Sequence, residues 1–254
     1  WTGGRITGDN AITQESDSWG LFLNGTWHAT DMINITAGAR FAYDEKDYKQ
    51  TEYASANFTP APGTDSTTVT SNDDWSEVDW RATVDYHPTD DLMVYGTISK
   101  AYRAGSFAYS ILDNVPGPDQ SGDFIQPIPP EKVINKEIGF RSELFNSRLR
   151  FNLTYFDMEY SDRQNPSAVS DPNSPVGFTI QLRNQGNIDI DGLELDTQLV
   201  VTDNFSLNAS AGWVDTTVND VCVNNGIYLF PSPAKESYQV GGLWDFDLNN
   251  NGAL

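Results

Sequence analysis

Residues 190–213 read IDGLELDTQLVVTDNFSLNASAGW, two alternating segments on either side of a short polar turn. In the first segment Leu193, Leu195 and Leu199 alternate with acidic and amide side chains. In the second, every other residue from Phe205 to Trp213 is apolar. Successive side chains of a strand point to opposite faces of a sheet, so this period of two predicts an antiparallel hairpin with one apolar face.

The same unit recurs along the chain and predicts nine strands. Their alternating segments are 18–28, 33–43, 78–86, 92–99, 134–144, 149–155, 193–199, 205–213 and 238–246. Tight links near 29–31, 88–91, 145–148 and 201–204 alternate with long polar links near 44–74, 105–130, 162–177 and 217–235. Short turns at one end and long loops at the other are typical of an outer-membrane β-barrel.

Charges and aromatic residues agree with this interpretation. The polar faces carry opposed charges, such as Asp79 with Arg81 and Glu137 with Arg141, which suit a hydrated lumen. Aromatic residues gather near strand ends, as expected of girdles at two membrane interfaces. The row toward the short turns is Trp27, Tyr86 and Trp244; the row toward the long loops is Trp19, Tyr43, Tyr102, Tyr155 and Trp213. The alternative is a soluble β-sandwich whose core is the apolar face.

Composition excludes several classes of protein. Lys and Arg total 15 against 36 Asp and Glu, a net charge of −21, which argues against nucleic-acid binding. An aromatic content of 12% argues against an acidic disordered chain. Cys222 alone cannot form a disulfide framework, and no apolar run reaches the length of a membrane helix. The start at Trp1 and the end in a turn-like sequence lead us to expect a fragment.

Five stretches resemble the barrel of TonB-dependent receptors, in the order of that family. They are ITAGARFAYDEKDY at 35–48, YGTISKAYRAGSF at 95–107, PEKVINKEIGFRSEL at 130–144, RLRFNLTYFDMEYSDRQ at 148–164 and the hairpin at 190–213. The resemblance implies an all-β, antiparallel transmembrane β-barrel of about 22 strands. Residues 1–254 would be an arc of nine to ten of these, without the plug domain and the C-terminal strands.

The resemblance further implies a receptor in the outer membrane of a Gram-negative bacterium. It would import a ferric siderophore, or cobalamin or a glycan, with energy that TonB relays through the missing plug domain. Outer-membrane lipid and lipopolysaccharide would surround it. One alternative is a passive porin or channel barrel. Another is a secreted acidic β-sandwich that binds carbohydrate. Nothing in the chain indicates an enzyme, a catalytic residue or a cofactor.

Candidate ligand-binding residues stand where long loops begin. An arginine with aromatic neighbours suits an anionic or aromatic siderophore, through hydrogen bonding and stacking. The candidates are Tyr102, Arg103, Phe107, Tyr109 and, in another loop, Tyr228. Equally, Lys100 and Arg103 could face lipopolysaccharide phosphates as an interface anchor.

Two patterns raise the possibility of a metal, and neither predicts a site. His28 and His87 could form a pair only if their hairpins are adjacent. The segment from Asp247 to Gly252 matches half of a calcium loop, and we interpret it as a hairpin turn.

Overall fold

The computed structural model describes residues 10–53, 66–108, 126–170, 177–184, 186–219 and 234–246. Its strands are β1 Asn10–His28, β2 Ile33–Tyr53, β3 Ser66–Thr89, β4 Leu92–Arg103, β5 Ser106–Ala108, β6 Gln126–Ile128, β7 Glu131–Leu144, β8 Leu149–Ser161, β9 Gln164–Ser170, β10 Phe178–Asn184, β11 Asn187–Thr202, β12 Phe205–Asn219 and β13 Glu236–Trp244. Within these ranges no helix is long and apolar enough to span a membrane.

In the part of the chain that the structure describes, nine strands form one antiparallel sheet in the order β1-β2-β3-β4-β7-β8-β11-β12-β13. Each main strand pairs with the main strand that follows it along the chain, so the sheet is a meander with β1 and β13 at its edges. β5 pairs with β6, and β9 with β10, as two separate ribbons within the long links. All nine predicted strands and all four tight links are confirmed.

The predicted extent of the long links is wrong, because each of them contains strand residues. The link at 44–74 is mostly strand, because β2 runs to Tyr53 and β3 begins at Ser66, paired throughout. The link at 162–177 contains β9. Hydrophobic alternation indicates a strand only where one face avoids water. Beyond the apolar band both faces are polar, and the backbone ladder continues without that signal.

The register separates an outer, apolar face from an inner, polar face. One row of paired residues on the outer face is Val94, Phe140, Leu153, Leu195, Ala211 and Tyr238. The neighbouring inner row is Tyr95, Gly139, Thr154, Glu194, Gly212 and Ser237. Ile138 lies on the outer face of a central strand and is nevertheless 58% exposed. An apolar surface left open in the middle of a sheet fits contact with lipid and does not fit a sandwich core.

The aromatic rows lie at the two ends of this outer face. Trp19 stacks on Tyr43 with ring centroids 5.8 Å apart, and Trp213 meets Tyr238 edge-on at 5.8 Å. Toward the short turns, Trp244 packs against Phe205 at 5.3 Å. Tyr102 departs from its predicted row, since its hydroxyl donates to Asp44, an inner-face residue of β2. It binds the neighbouring strand and does not form part of a lipid-facing girdle.

On the inner face, large side chains lie across glycines of the next strand. The ring of Tyr95 covers Gly139, where a Cβ atom would come within 2.2 Å of it. Phe156 covers Gly192 in the same way, at 2.5 Å. Glu137 and Arg141, one of the pairs of opposed charges in the sequence, both contact Tyr95. Glu137 accepts a hydrogen bond from the hydroxyl of Tyr95, and Arg141 lies 5.1 Å from the ring centroid of that tyrosine. The inner face is therefore tightly built although it is polar.

Candidate ligand site at the loop end of the sheet

The candidate site lies at the mouth of the 105–130 loop, at the end of the sheet that carries the long links. β4 ends at Arg103 and β7 begins at Glu131, and these two residues are paired in the register. Between them the chain forms the β5–β6 ribbon, which is the stem of the loop. The site is thus held by two strands of the main sheet and by one ribbon.

An aromatic cluster fixes the stem to the extended part of β2 and β3. The cluster consists of Tyr48, Trp75 and Phe107, all buried, with Val69 and Ala104 packed against it. Phe107 is 0% exposed, and its ring centroid lies 5.4 Å from that of Tyr48 and 6.1 Å from that of Trp75. Aromatic contacts at these distances stabilise a structure beyond the burial of apolar area alone, so the cluster anchors the stem to the sheet.

Gly105 is required for this contact. A Cβ atom at that position would lie 2.2 Å from the indole of Trp75 and 2.4 Å from the carbonyl oxygen of Ile128. The backbone of the stem therefore lies directly against the indole ring. A larger residue would push the stem off the sheet.

Lys46 supplies a cation to the same cluster. Its ammonium donates to the carbonyl oxygen of Gly105 at 2.6 Å and lies 5.6 Å from the ring centroid of Trp75. Burial lowers the pKa of Lys46, Asp44 opposes that shift, and the nearby Arg103 adds to it. Two positive groups therefore stand close together at the loop mouth.

Arg103 is the exposed member of the site. Its side chain is 69% exposed, and its Nη1 lies 3.9 Å from Oε2 of Glu131, at the outer limit of an ion pair. The carboxylate itself is largely buried, at 12% exposed. A guanidinium that is so accessible and so loosely paired can donate to an anionic group of a ligand.

The structure thus brings three of the five predicted residues together and gives them different surroundings. Arg103 faces solvent, the hydroxyl of Tyr102 is engaged by Asp44, and Phe107 is enclosed in the cluster. Because Phe107 has no exposed surface, direct contact with a ligand would require the stem to open. Tyr109 and Tyr228 lie outside the described residues.

Sequence reasoning missed the partners that hold the site. Lys46 falls within the 44–74 stretch assigned to a loop, Trp75 lies just past it and before the predicted strand at Val78, and Gln164 lies in a different link. Extending the β2–β3 pairing beyond Tyr43 would have placed Tyr48 and Trp75 on the inner face. No sequence signal connects Gln164 to this site.

The alternative of an anchor for lipopolysaccharide phosphates loses one of its cations. Lys100 donates to Glu77 at 2.8 Å, and Lys132 reaches the same carboxylate. Hydrogen bonds from these two lysines hold the pKa of the Glu77 carboxyl below its usual value. Arg103 is more exposed than either lysine and remains the accessible positive group of the pair Lys100 and Arg103.

The two histidines do lie on adjacent hairpins, at the short-turn end of the sheet. Nδ1 of His28 lies 2.6 Å from Asn34 Oδ1, Asn34 donates to Asp85 at 2.7 Å, and His87 contacts Asp85 at 3.0 Å. Asn34 and Asp85 therefore separate the imidazoles. Among the described residues no group of three or more His, Cys, Asp and Glu could hold a metal ion. The segment from Asp247 to Gly252 lies outside them.

Comparison with known proteins agrees with this architecture. The family model described as "TonB dependent receptor-like, beta-barrel" matches residues 2–251. The pesticin receptor of Yersinia enterocolitica is 31% identical over 173 residues, which are 68% of this chain and 22% of that receptor. The chain thus spans about a fifth of the length of the curated relatives it matches.

Solved structures show the same fold. The ferric yersiniabactin uptake receptor FyuA from Yersinia pestis superposes with a TM-score of 0.70 at 18% identity, over 96% of this chain and 33% of FyuA. The closed form of the ferric-catecholate import receptor Fiu from Escherichia coli K12 gives 0.65 at 15% identity, over 92% and 32%. The chain belongs to the TonB-dependent receptor family, and it forms part of the β-barrel by which these proteins cross the outer membrane of Gram-negative bacteria.

Proposed function

We propose that the full-length protein imports a ferric siderophore across the outer membrane, with energy relayed by TonB. The observation that carries the proposal is the exposed, loosely paired guanidinium of Arg103 beside an anchored aromatic cluster, in a barrel of this family. Ferric siderophores commonly offer anionic groups, which the exposed guanidinium would recognise by charge-assisted hydrogen bonds.

The relatives support the choice of ligand class. The matched curated relatives are pesticin receptors, and the similar structures include receptors for ferric yersiniabactin and ferric catecholates. The ligands named for these two structures are both ferric complexes. We therefore propose ferric siderophores ahead of cobalamin or a glycan, and transport ahead of catalysis.

The remaining partners follow from the same proposal. A plug domain outside residues 1–254 would fill the lumen and contact TonB, facing the polar inner face. Outer-membrane lipid would contact the outer face, and lipopolysaccharide would surround it near the long loops.

Binding and uptake by the full-length receptor test the proposal. Ferric yersiniabactin and a ferric catecholate would be titrated against purified receptor in detergent, and uptake of the radiolabelled complexes would be followed in cells. We expect binding of at least one complex and uptake that stops when the proton gradient is collapsed. Uptake that continues without the gradient would favour a passive channel, and absence of binding to both complexes would remove the siderophore class.

Substitution of Arg103 tests whether this residue contacts the ligand. Arg103→Ala removes a charge-assisted hydrogen bond worth about 1.5–3 kcal/mol, so Kd should rise about 10- to 150-fold. Arg150→Ala is the matched control, because Arg150 is also exposed and paired with a glutamate, Glu143, but lies at the short-turn end. Equal affinities of Arg103→Ala and the parent would exclude Arg103 from the site.

A further inference from the structure

Gln164 stands out among the polar residues near the loop mouth because it is buried, at 6% exposed, and belongs to a different link. It is the first residue of β9, far along the chain from the 105–130 loop. Its amide nitrogen donates to the carbonyl oxygen of Ala104 at 2.9 Å and to that of Pro129 at 3.1 Å. One side chain therefore bridges both sides of the stem.

The partner of Gln164 in the ribbon reinforces this bridge. Asn184 is paired with Gln164 in the β9–β10 register, and its amide donates to Pro129 at 2.9 Å and to Asp162 at 2.5 Å. Two amides at the base of one ribbon thus hold the carbonyl groups at the base of the other. We call Gln164 and Asn184 the amide clamp.

Gln164 also acts on the counter-ion of Arg103. Its backbone N–H donates to Oε2 of Glu131 at 3.0 Å, and this is the oxygen that lies 3.9 Å from Arg103. The carboxylate is held by the backbone of β9 and stays at a distance from the guanidinium. Arg103 consequently keeps both its position, next to Ala104, and its accessible charge.

We propose that Gln164 is a positioning residue of the ligand site, which holds the stem and Arg103 in the geometry that binds ligand. The expected effect on ligand affinity rests on the proposed function, whereas the positioning itself rests on the hydrogen bonds of the amide clamp. The 162–177 link would thus contribute to ligand recognition through Gln164, without contacting the ligand itself. Ligand affinity should then depend on a residue whose side chain is buried.

The first measurement needs no ligand. Hydrogen exchange of the full-length receptor is compared for the parent, Gln164→Ala and Gln164→Glu, which keeps the shape of the side chain but cannot donate to two carbonyl groups. Backbone amides of Ser106–Ala108, Gln126 and Ile128 should exchange at least tenfold faster in both variants, while those of β7 and β8 stay unchanged. Gln198→Ala is the control, since Gln198 is an exposed glutamine of the main sheet. Unchanged exchange in the stem would overturn the proposal.

The second measurement is affinity for ferric yersiniabactin and a ferric catecholate, with heat-modifiable mobility of the barrel as the check on assembly. Gln164→Ala should raise Kd at least tenfold in an assembled barrel, and Gln164→Ala with Arg103→Ala should bind no more weakly than Arg103→Ala alone. A purely structural defect would add to the effect of Arg103→Ala, and such additivity would overturn the positioning role. If the parent receptor binds neither complex, the proposed function fails, while the exchange experiment still decides whether the clamp holds the stem.

Discussion

Replacing Gly139 by alanine should destabilise the barrel through one defined collision. The new Cβ would lie 2.2 Å from Cε1, 2.3 Å from Cζ and 2.5 Å from the hydroxyl oxygen of Tyr95. The backbone of the two paired strands cannot separate without breaking the ladder, so the ring of Tyr95 must leave its place. It would then lose its hydrogen bonds to the carboxylate of Glu137 and to Thr154, the latter at 3.2 Å.

The magnitude follows from these losses. Overpacking a tight contact costs about 1–3 kcal/mol, and a hydrogen bond to a charged group contributes about 1.5–3 kcal/mol. Replacing glycine within a strand returns about 0.5–1 kcal/mol because the unfolded chain loses freedom. We therefore expect Gly139→Ala to lower the free energy of unfolding by about 2–5 kcal/mol.

Equilibrium unfolding in urea of the full-length receptor in lipid vesicles measures this change. Gly96→Ala is the matched control: Gly96 neighbours Tyr95 in β4, and the nearest atom to its added Cβ is 3.9 Å away. A double variant completes the cycle, since alanine at 139 should cost nothing further once Tyr95→Ala has removed the ring. Equal losses for Gly96→Ala and Gly139→Ala, or a full loss that persists without the ring, would refute the reasoning.

Three further predictions concern the faces of the sheet and the stem. Leu153→Arg places a charge on the lipid face and should cost about 2–4 kcal/mol of folding free energy in vesicles, whereas Asn152→Arg, next to it on the inner face, should cost much less; similar losses would contradict the register. Burial lowers the pKa of Lys46 in the folded state below its usual value of 10.5. Between the folded-state and unfolded-state pKa values the unfolded state binds more protons, so the stability of the parent relative to Lys46→Met should rise with pH in that range. A difference in unfolding free energy that falls with pH there would contradict this. Phe107→Ala should cost about 3–5 kcal/mol of local stability, seen as faster proteolysis within the 105–130 loop while the barrel stays assembled; unchanged cleavage would remove the cluster as an anchor.

The sequence by itself determined the sheet. Because one face of each strand must meet lipid and the other water, the period of two marks where each strand crosses the membrane. The lengths of the links then separate the two ends of the barrel, and the meander order follows from tight turns that join neighbouring strands. The nine strands, their turns and the two faces were therefore predictable from residues such as Leu193, Leu195 and Trp213.

Only the tertiary structure decided how far the strands continue and what holds the site. Past Tyr43 neither face of β2 carries an alternating apolar pattern, so the pairing with β3 continues without a hydrophobic signal to reveal it. Phe107 and Arg103 stand four residues apart and look alike as candidates, yet one is enclosed by Trp75 and the other is open to solvent. Gln164 reaches Ala104 across 60 residues of chain. Contacts of this kind depend on which strands and ribbons the folded sheet brings together, and local sequence carries no record of them.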